Sequence, residues 1–503
     1  MRRMKSRRDN LPTLLYSADQ VRSLDAFAIR QLQIPGYELM TRAGIAALRV
    51  LRERWSGARR IVIVCGSGNN AGDGYVVARL AQNAGLNVVV IAATSPGKLT
   101  GDAALAWRDW SSSGGEVIVW QPGALADADL IVDALFGVGV SRVLETRHTE
   151  IIEAINATPT PVLSLDLPSG LDGTSGQTWG ACVRADCTVS FVGLKVGCFL
   201  GVAPDYVGAL EFDGLSITAE SPVESIAARV ESSWLKTVLP PRSRISHKGT
   251  NGHVLVIGGG RGMPGAARLA GEAALRVGAG LVTIATCAES VSTISAGRPE
   301  LMVRTIDSAS SLQSLMDRAD VIAVGPGLGQ ESWGRDVFAA TMGARQPLVV
   351  DADALNLLSG QPIQRDGWIL TPHPGEAARL LGMTTGQIQK DRFAAVQALA
   401  NRYGGVAVLK GACSWIAVDG QKPVVCDRGN PGMAAGGMGD VLTGVVAGLI
   451  AQGLNLWEAA RAGVLVHALA GDAAAQEGER GMLASDLFPH LRTFVNPMRQ
   501  SNA

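Results

Sequence analysis

The acidic residues best placed to do chemistry in this sequence stand beside glycine-rich turns. Residues 433–444 read MAAGGMGDVLTG, and Asp440 opens an apolar stretch with helical character. Asp is a favoured helix cap, and a glycine-led helix start also binds phosphate through its free backbone N–H groups. A cap would need one glycine, but glycines stand at 436, 437 and 439. The pattern favours a carboxylate that accepts a proton beside a transferring phosphoryl group, and it leaves the capping role open.

A second glycine-rich turn, CGSGNNAGDG at residues 65–74, joins a β-branched run to a helical one. Backbone amides in such a turn can approach a phosphate, although the same glycines also serve tight packing. The side chains of Asn69 and Asn70 offer oxygens to a cation and N–H donors to a ligand, or else they stabilise the turn. This turn is therefore a candidate ligand site.

Two further apolar runs end in polar residues, with Asp133 in LIVDALFGVG and Asp166 in LSLDLPSG. Each Asp could simply cap the next helix. However, parallel sheets bind ligands at the carboxyl ends of their strands, which is where both residues stand. Together with Asn70 and Ser169 they form a set of oxygen ligands suited to a hard cation.

The second half carries three more turns with candidate binding groups. Ala266 follows a glycine turn in a stretch of small residues, and GPGLG at 325–329 presents backbone amides and few side chains. His373 stands between two prolines in TPHPGE, and Lys410 ends the run GVAVLK. A rigid histidine and a strand-end lysine can meet substrate and phosphate. The alternatives are packing for the small residues, backbone bonding for the imidazole and a solvated surface lysine.

These turns require strands and helices that bring them together. From residue 61 onward, β-branched runs alternate with helical patterns, which predicts an α/β fold of three-layer αβα domains with largely parallel sheets. The first-half strands are predicted at 61–66, 87–93, 116–120, 130–137 and 162–170. The second-half strands are predicted at 253–260, 281–286, 320–329, 347–356, 367–376 and 405–412. Helical spacing also fills residues 17–55, a possible helical cap or subunit contact.

Length and composition predict two domains without a nucleic-acid or membrane partner. The 503 residues exceed the usual size of one core, and a charge-rich, proline-containing linker at 218–253 separates predicted domains 1–225 and 226–503. Zero formal net charge removes the basic footprint of a nucleic-acid or membrane-surface binder. Seven scattered cysteines indicate reduced thiols, and the basic start lacks the apolar run of a secretory signal, so we expect a cytoplasmic protein. An Arg-rich organellar presequence is the alternative.

The motifs GSGNNAGDG, VDALFGVG and LDLPSGLDG, in this order, resemble the NAD(P)H-hydrate epimerase family, whose domain is Rossmann-like. Ala71 stands where the family's loop has a glycine. The resemblance implies that Asn70, Asp133 and Ser169 bind K⁺ and that Asp166 touches the substrate as general base. It further implies a binding site for the hydrated nicotinamide nucleotide made of Asn69, Asn70, Ala71, Gly72, Asp73, Gly137, Val138, Gly139, Val140, Ser141, Arg142, Val143 and Asp166.

Seven motifs of the second half, HKGTNGH, GAARLAGEAALRVGAGLV, GPGLG, DADALN, LTPHPGE, LKGA and GGMGD, resemble the ADP-dependent NAD(P)H-hydrate dehydratase family of ribokinase-like fold. Met438 and Ser414 stand where the family has threonine. The resemblance implies that Asp440 is the catalytic base and that the hydrate meets Ala266, Gly327, His373 and Asp440. It implies an adenine-nucleotide site made of Lys410, Gly411, Ala412, Cys413, Ser414 and Gly439.

The two resemblances together imply repair of hydrated NADH and NADPH. The first half would interconvert the R and S hydrates, and the second would phosphorylate the S hydroxyl with ADP and eliminate phosphate, because hydroxide itself leaves poorly. We expect K⁺ in the first domain, Mg²⁺ with ADP in the second, small-molecule substrates and a homo-oligomer. The alternative is a ribokinase-like kinase of a small alcohol, fused to a nucleotide-binding scaffold domain.

Overall fold

The computed structural model describes residues 8–138, 142–217 and 221–497. Its chain divides into two compact units, Met1–Ala228 and Arg229–Ala503. The boundary predicted from the sequence, after residue 225, is close to this division. Each unit has its own sheet and its own covering helices, so each can be described separately.

The first unit contains a seven-stranded sheet in which all neighbouring strands are parallel, in the order β4-β3-β2-β5-β6-β7-β8. A short strand, β1, lies outside this sheet. The strands are β1 (Leu14–Leu15), β2 (Arg60–Cys65), β3 (Asn87–Ala92), β4 (Val117–Val119), β5 (Leu130–Ala134), β6 (Val162–Leu165), β7 (Cys187–Phe191) and β8 (Ala209–Asp213). The helices are α1 (Ala18–Arg30), α2 (Gly36–Arg54), α3 (Asn69–Asn83), α4 (Gly101–Ser112) and α5 (Thr146–Ala157).

Alternate residues of β2 show why this sheet is covered on both faces. Ile61 and Ile63 pack into a core with α2, α3 and α4, whereas Val62 and Val64 pack into a second core with α5. Successive strand residues point to opposite faces, so two apolar faces need two helical layers. The three-layer prediction is confirmed for this unit.

The second unit contains nine strands in the order β18-β17-β16-β15-β14-β13-β10-β11-β12. Strands β10 to β16 pair in parallel, and β17 and β18 extend the sheet antiparallel. The strands are β10 (His253–Ile257), β11 (Leu281–Thr286), β12 (Met302–Thr305), β13 (Val321–Val324), β14 (Leu348–Val350), β15 (Trp368–Leu370), β16 (Val406–Leu409), β17 (Ser414–Val418) and β18 (Val424–Cys426). The preceding strand, β9 (Ala227–Arg229), falls at the division and pairs antiparallel with β1.

The helices of the second unit are α6 (Leu235–Val238), α7 (Pro264–Val277), α8 (Ala288–Gly297), α9 (Ala309–Met316), α10 (Ser332–Met342), α11 (Ala352–Gly360), α12 (Pro374–Leu381), α13 (Thr385–Lys390), α14 (Arg392–Tyr403), α15 (Met438–Ala451), α16 (Leu456–Ala474) and α17 (Phe488–Phe494). Helix α15 is apolar around almost its whole circumference and is buried. Its Gly444 lies so close to α7 that an added Cβ would be 1.9 Å from the Ala270 carbonyl oxygen. This packing fixes the start of α15, where Asp440 stands.

The predicted strands are all present, but most are shorter than their apolar runs. The run at 347–356 ends as a strand at Val350, and α11 already begins at Ala352. The helical prediction for residues 17–55 is confirmed by α1 and α2. Seven strands were not predicted: β1, β7, β8, β9, β12, β17 and β18. Within the described ranges, no helix is both long and apolar enough to cross a bilayer, and all seven cysteines are free thiols.

Candidate functional site

Asp133 and Ser169 form a fully buried polar pair at the carboxyl end of the first sheet. Asp133 lies in β5, and its Oδ1 accepts a 2.5 Å hydrogen bond from Ser169 Oγ while its Oδ2 accepts from the Ser169 backbone N–H and from Ser164 Oγ. Burial raises the pKa of Asp133. The carbonyl oxygen of Phe136 lies 3.2 Å from Ser169 Oγ. Three kinds of oxygen, carboxylate, hydroxyl and carbonyl, therefore meet in one place.

Asn70 adds an amide group without partners to this part of the unit. It is in the first turn of α3 and is 7% exposed. Both Nδ2 and Oδ1 are buried and have no hydrogen-bond partner among the described residues. A buried amide without partners is costly, which indicates that a bound group completes it. The predicted K⁺ ligands thus have chemistry that fits a hard cation, and an unsatisfied oxygen is available to hold one.

Asp166 follows β6 directly and has a left-handed backbone with φ of +65°. This conformation is uncommon outside glycine and is often found at functional sites. A Cβ added at Gly137 would lie 3.3 Å from Asp166 Oδ2 and 3.5 Å from Asn70 Cγ. Glycine at 137 therefore lets the loop pass close to both side chains, and the structure brings these three predicted residues together.

The other residues of the predicted epimerase site lie in two segments, 69–73 and 137–143. Asn69 is exposed at the start of α3, Gly72 is buried and Asp73 is partly buried. The side chain of Ala71 is fully buried in the core formed with α2 and α4, so its methyl group does not face the turn's surface. Val138 accepts a 3.0 Å hydrogen bond at its carbonyl oxygen from Arg22 Nη1. The exposed residues of the second loop are Arg142 and Val143, whereas Gly139, Val140 and Ser141 lie outside the described residues.

Sequence reasoning missed two charged residues of this site, Lys195 and Asp25. Lys195 is fully buried after β7 and forms an ion pair with Asp166 Oδ1. Asp25, in α1, is partly buried; burial raises its pKa to about 6, against the lowering effect of Lys195. Burial also raises the pKa of Asp73, with Asp166 and Asp25 adding to it. Lys195 belongs to none of the quoted motifs, and its only signal is a lysine within an otherwise apolar run, FVGLKVGCFL.

In the second unit, α15 begins with free backbone N–H groups and a carboxylate. Its first residue is Met438, and Gly437 caps it with φ of +89°. The amides of Gly439 and Asp440 have no acceptor among the described residues. Burial, reinforced by the charge of Asp351, raises the pKa of Asp440 to about 7. A base with such a pKa can exchange protons near neutral pH beside an anion site.

The ammonium group of Lys410 lies close to the start of α15. Its Nζ is 2.6 Å from Asp351 Oδ1, and Asp351 Oδ2 accepts a 2.8 Å hydrogen bond from Thr443. A Cβ added at Gly439 would be 3.2 Å from Lys410 Nζ. Burial acts to raise the pKa of Asp351, but the ion pair with Lys410 lowers it. Asp351 was not singled out from the sequence, yet it fixes Lys410 next to the cradle.

His373 caps α12 with its own ring. Nδ1 accepts from the backbone N–H groups of Gly375 at 3.0 Å and Glu376 at 3.4 Å. Burial, and then the charge of Lys410, lowers the pKa of His373. A neutral ring that accepts at Nδ1 carries its proton on Nε2. The half-exposed imidazole therefore presents a fixed N–H donor, so the backbone-bonding alternative and the substrate role are compatible.

Glu376 completes this charged group. It is buried, its Oε2 accepts from the His373 backbone N–H at 2.8 Å, and Lys410 Nζ is 3.9 Å from the same oxygen. Burial raises the pKa of Glu376 to about 7, although Lys410 opposes this. The charge of Lys410 thus acts on His373, Glu376 and Asp440, which places these groups close together.

Ala266 and Gly327 also lie together. A Cβ added at Gly327, where φ is +59°, would be 3.1 Å from the Ala266 Cβ. The GPGLG loop is tied by Gly329, whose N–H donates to Asp353 Oδ2 at 2.9 Å. The charge of Asp353 in turn contributes to the raised pKa of Asp440. This chain of contacts connects the predicted substrate residues with the base.

The predicted nucleotide loop, residues 410–414, is held from below by Arg392. This buried guanidinium donates to the carbonyl oxygens of Lys410 at 3.2 Å and Cys413 at 3.3 Å. Gly411 and Ala412 are exposed, Ser414 is partly exposed, and Cys413 has φ of +59°. The loop is therefore an open backbone surface on a fixed base, and Arg392 had no motif signal.

Met438 departs from the family pattern in a way that the structure explains in part. Its side chain is only 5% exposed. The side chain thus points into the interior, and the amides of the helix start do not depend on it.

Two family models match the chain, one for each unit. The model described as YjeF-related protein N-terminus matches residues 36–197, and the model described as NAD(P)H-hydrate dehydratase matches residues 254–492. The chain is 47% identical over 488 residues to the bifunctional NAD(P)H-hydrate repair enzyme Nnr of Coxiella burnetii. The aligned residues make up 96% of this chain and 100% of that protein. The Escherichia coli protein of the same name is 44% identical over 504 residues, 98% of this chain and 96% of that protein.

Among solved structures, a ribokinase-like superfamily protein from Enterococcus faecalis is 30% identical, with a TM-score of 0.51 over 55% of this chain and 98% of that chain. A hypothetical protein from Streptococcus mutans is 32% identical, with a TM-score of 0.51 over 54% of this chain and 99% of that chain. The ribokinase-like prediction for one of the two units is confirmed by these similarities.

Proposed function

Since this chain belongs to the family of bifunctional NAD(P)H-hydrate repair enzymes, we propose that epimerisation takes place at Asp166 and dehydration at Asp440. The chain is an enzyme with both activities: it interconverts the R and S hydrates of NADH and NADPH and dehydrates the hydrate back to the dihydronicotinamide. The assignment of residues rests on the two clusters described above.

Epimerisation inverts the carbon that bears the hydroxyl, which is bonded to the ring nitrogen. The carbon–oxygen bond breaks with loss of water, the nitrogen electron pair forms a C=N bond, and water adds to the other face. The proton taken up by the leaving hydroxyl equals the proton released by the adding water, so no co-reactant is consumed. Asp166 Oδ2, which faces Gly137 and Asn70, accepts the released proton.

The first unit would hold K⁺ through Asn70, Asp133 and Ser169. What supports this is the buried Asn70 amide without partners and the oxygens gathered at Asp133. When bound, the ion supplies positive charge that favours an anionic substrate group and fixes the oxygens of its ligands. The protein itself orients the nicotinamide ring between the loops at residues 69–73 and 137–143, of which residues 139–141 are not described.

Dehydration uses the start of α15. Asp440 accepts the proton of the S hydroxyl while the hydroxyl oxygen attacks the terminal phosphorus of ADP; the bond from that phosphorus to the bridging oxygen breaks, and AMP leaves. The free amides of Gly439 and Asp440 stabilise the phosphoryl oxygens during the transfer. Lys410 places a positive charge next to them. The bond between the carbon and the phosphate oxygen then breaks, phosphate leaves with the electron pair, and the neighbouring carbon gives a proton to water, which restores the ring double bond. His373 donates its Nε2 proton in a hydrogen bond to the hydrate.

The nucleotide would be ADP, bound on residues 410–414, with Mg²⁺ carried on its phosphates. Mg²⁺ is usually held by substrate phosphates and water with few protein ligands, and no group of three His, Cys, Asp or Glu side chains arranged for a metal exists in the described part of the chain. The cytoplasmic location and a homo-oligomeric state remain predictions.

The proposal rests on the surroundings of Asp440. Its pKa is raised to about 7, and it stands at a helix start whose backbone amides are free and close to Lys410. The test supplies a mixture of R and S NADH hydrates with ADP or ATP and follows the return of NADH absorbance. Wild type converts both epimers, and Asp166→Asn stops at the S fraction. A stable phosphorylated product without NADH would instead indicate the small-alcohol kinase. If NADH returned with ATP but not with ADP, ATP would be the phosphoryl donor.

A further inference from the structure

The most informative group that the proposed function leaves without a role is the buried Lys195. We propose that Lys195 is a positioning residue of the epimerase site, which holds one oxygen of Asp166 so that the other faces the substrate. The proposal rests on the role of Asp166 given above.

All three donor positions of the Lys195 ammonium are used within the protein. Nζ donates to Asp166 Oδ1, to the carbonyl oxygen of Phe191 at 2.9 Å and to Ser190 Oγ at 3.2 Å. The side chain is fully buried. Lys195 therefore has no donor left for a substrate, and it can act on the reaction only through Asp166.

The two oxygens of Asp166 have different surroundings. Oδ1 accepts from Lys195 and from the Phe191 backbone N–H at 3.3 Å. Oδ2 has no hydrogen-bond partner among the described residues and faces Gly137 and Asn70. The ion pair with Lys195 fixes one oxygen and leaves the other available.

Other acidic groups surround the same lysine. The charges of Lys195 and Asp166 act on Asp25 and Asp73. Burial raises the pKa of these two aspartates, that of Asp25 to about 6. Val21 follows Ala18 by three residues, and Asp25 follows Val21 by four. The three residues therefore share one face of α1. The positive charge of Lys195 therefore offsets the mutual repulsion of these carboxylates.

The experiment measures epimerisation alone, as the R to S ratio by chromatography without nucleotide, in the full-length enzyme. Lys195→Met removes the donor, and we expect kcat to fall about 100-fold with KM nearly unchanged, since a displacement of about 1 Å of a reacting group has this effect. Lys195→Gln keeps an N–H donor and should lose less activity. Lys98→Met is the matched control, because Lys98 is the other lysine in the described part of the unit and is exposed.

A double-mutant cycle separates positioning from a merely structural role. If Lys195 acts through Asp166, adding Lys195→Met to Asp166→Asn causes no further loss of kcat. An unchanged kcat in any folded Lys195 variant, or an equal additional loss in the double variant, would overturn the proposal. If Lys195→Met does not fold, the kcat and KM of Lys195→Gln decide. Full activity of Asp166→Asn would instead refute the role of Asp166, a different failure.

Discussion

Substitution of Asp440 by Asn separates chemistry from binding at the second site. Asn keeps the size of the side chain and can still accept a hydrogen bond, but it cannot take a proton. A positioned general base contributes about 10²- to 10⁴-fold to rate. We therefore expect ADP-dependent dehydration to fall by about that factor, while nucleotide affinity changes little, because the free amides of α15 and the loop at 410–414 are untouched.

The same substitution has a calculable effect on stability. Burial raises the pKa of Asp440 from 3.8 to about 7, so the folded protein binds the proton more tightly than the unfolded chain does. The stability that this preference contributes is present below about pH 4 and is lost as pH rises through about 7. At about 1.4 kcal/mol per pH unit, an ionised Asp440 costs up to about 4 kcal/mol above pH 7. Asn avoids this cost.

The assay is denaturant unfolding of both proteins at pH 5 and pH 8.5, together with steady-state dehydration of the S hydrate. Asp440→Asn should be the more stable protein at pH 8.5, with a smaller difference at pH 5. An inactive variant that is no more stable at pH 8.5 would refute the inferred burial of the charge. An active variant would refute the catalytic role and leave Asp440 as a helix cap.

Three further predictions follow from the contacts described above. Asn70→Ala should weaken activation of the epimerase by K⁺ at least about tenfold, measured by titrating KCl against a tetramethylammonium background; equal activation in both proteins would contradict the cation site. Lys410→Met leaves Asp351 as a buried, unpaired charge, so unfolding free energy should fall by about 3–5 kcal/mol and dehydration should be lost; wild-type stability would contradict the buried pair. Met438→Thr should leave turnover close to wild type but lower stability by about 1–3 kcal/mol, as seen in the midpoint of unfolding, because the buried side chain loses volume; unchanged stability would contradict its burial.

The sequence predicted the framework of both units because its signals are local. Apolar runs that end in Asp133, Asp166 and Lys410 each became a strand that stops at or beside the polar residue. Both glycine turns lead into helices as expected, although α3 begins at Asn69, inside the turn predicted at 65–74, and α15 begins at Met438. Strand length was overestimated because apolar character continues into loops that the fold buries, and periodicity does not distinguish a buried loop from a strand.

The residues that were missed are those whose role depends on tertiary contacts. Lys195 follows β7, a strand whose run was not recognised, and it meets Asp166 only when β6 and β7 pair. Asp351 was taken as part of a strand, and its pairing with Lys410 spans 59 residues. Arg392 holds the nucleotide loop through backbone carbonyl oxygens, which carry no sequence signal. A single sequence cannot show which charged residue is buried against which.

The central claim is that two sites in one chain act in succession on a hydrated nicotinamide nucleotide. The most direct test supplies only the R hydrate of NADH with ADP and Mg²⁺ in a KCl buffer, and compares the return of NADH absorbance with the uncatalysed epimerisation rate. We predict complete recovery, much faster than that rate, because the first unit feeds the S epimer to the second. Recovery no faster than spontaneous epimerisation, by an enzyme that still converts the S hydrate, would contradict the account.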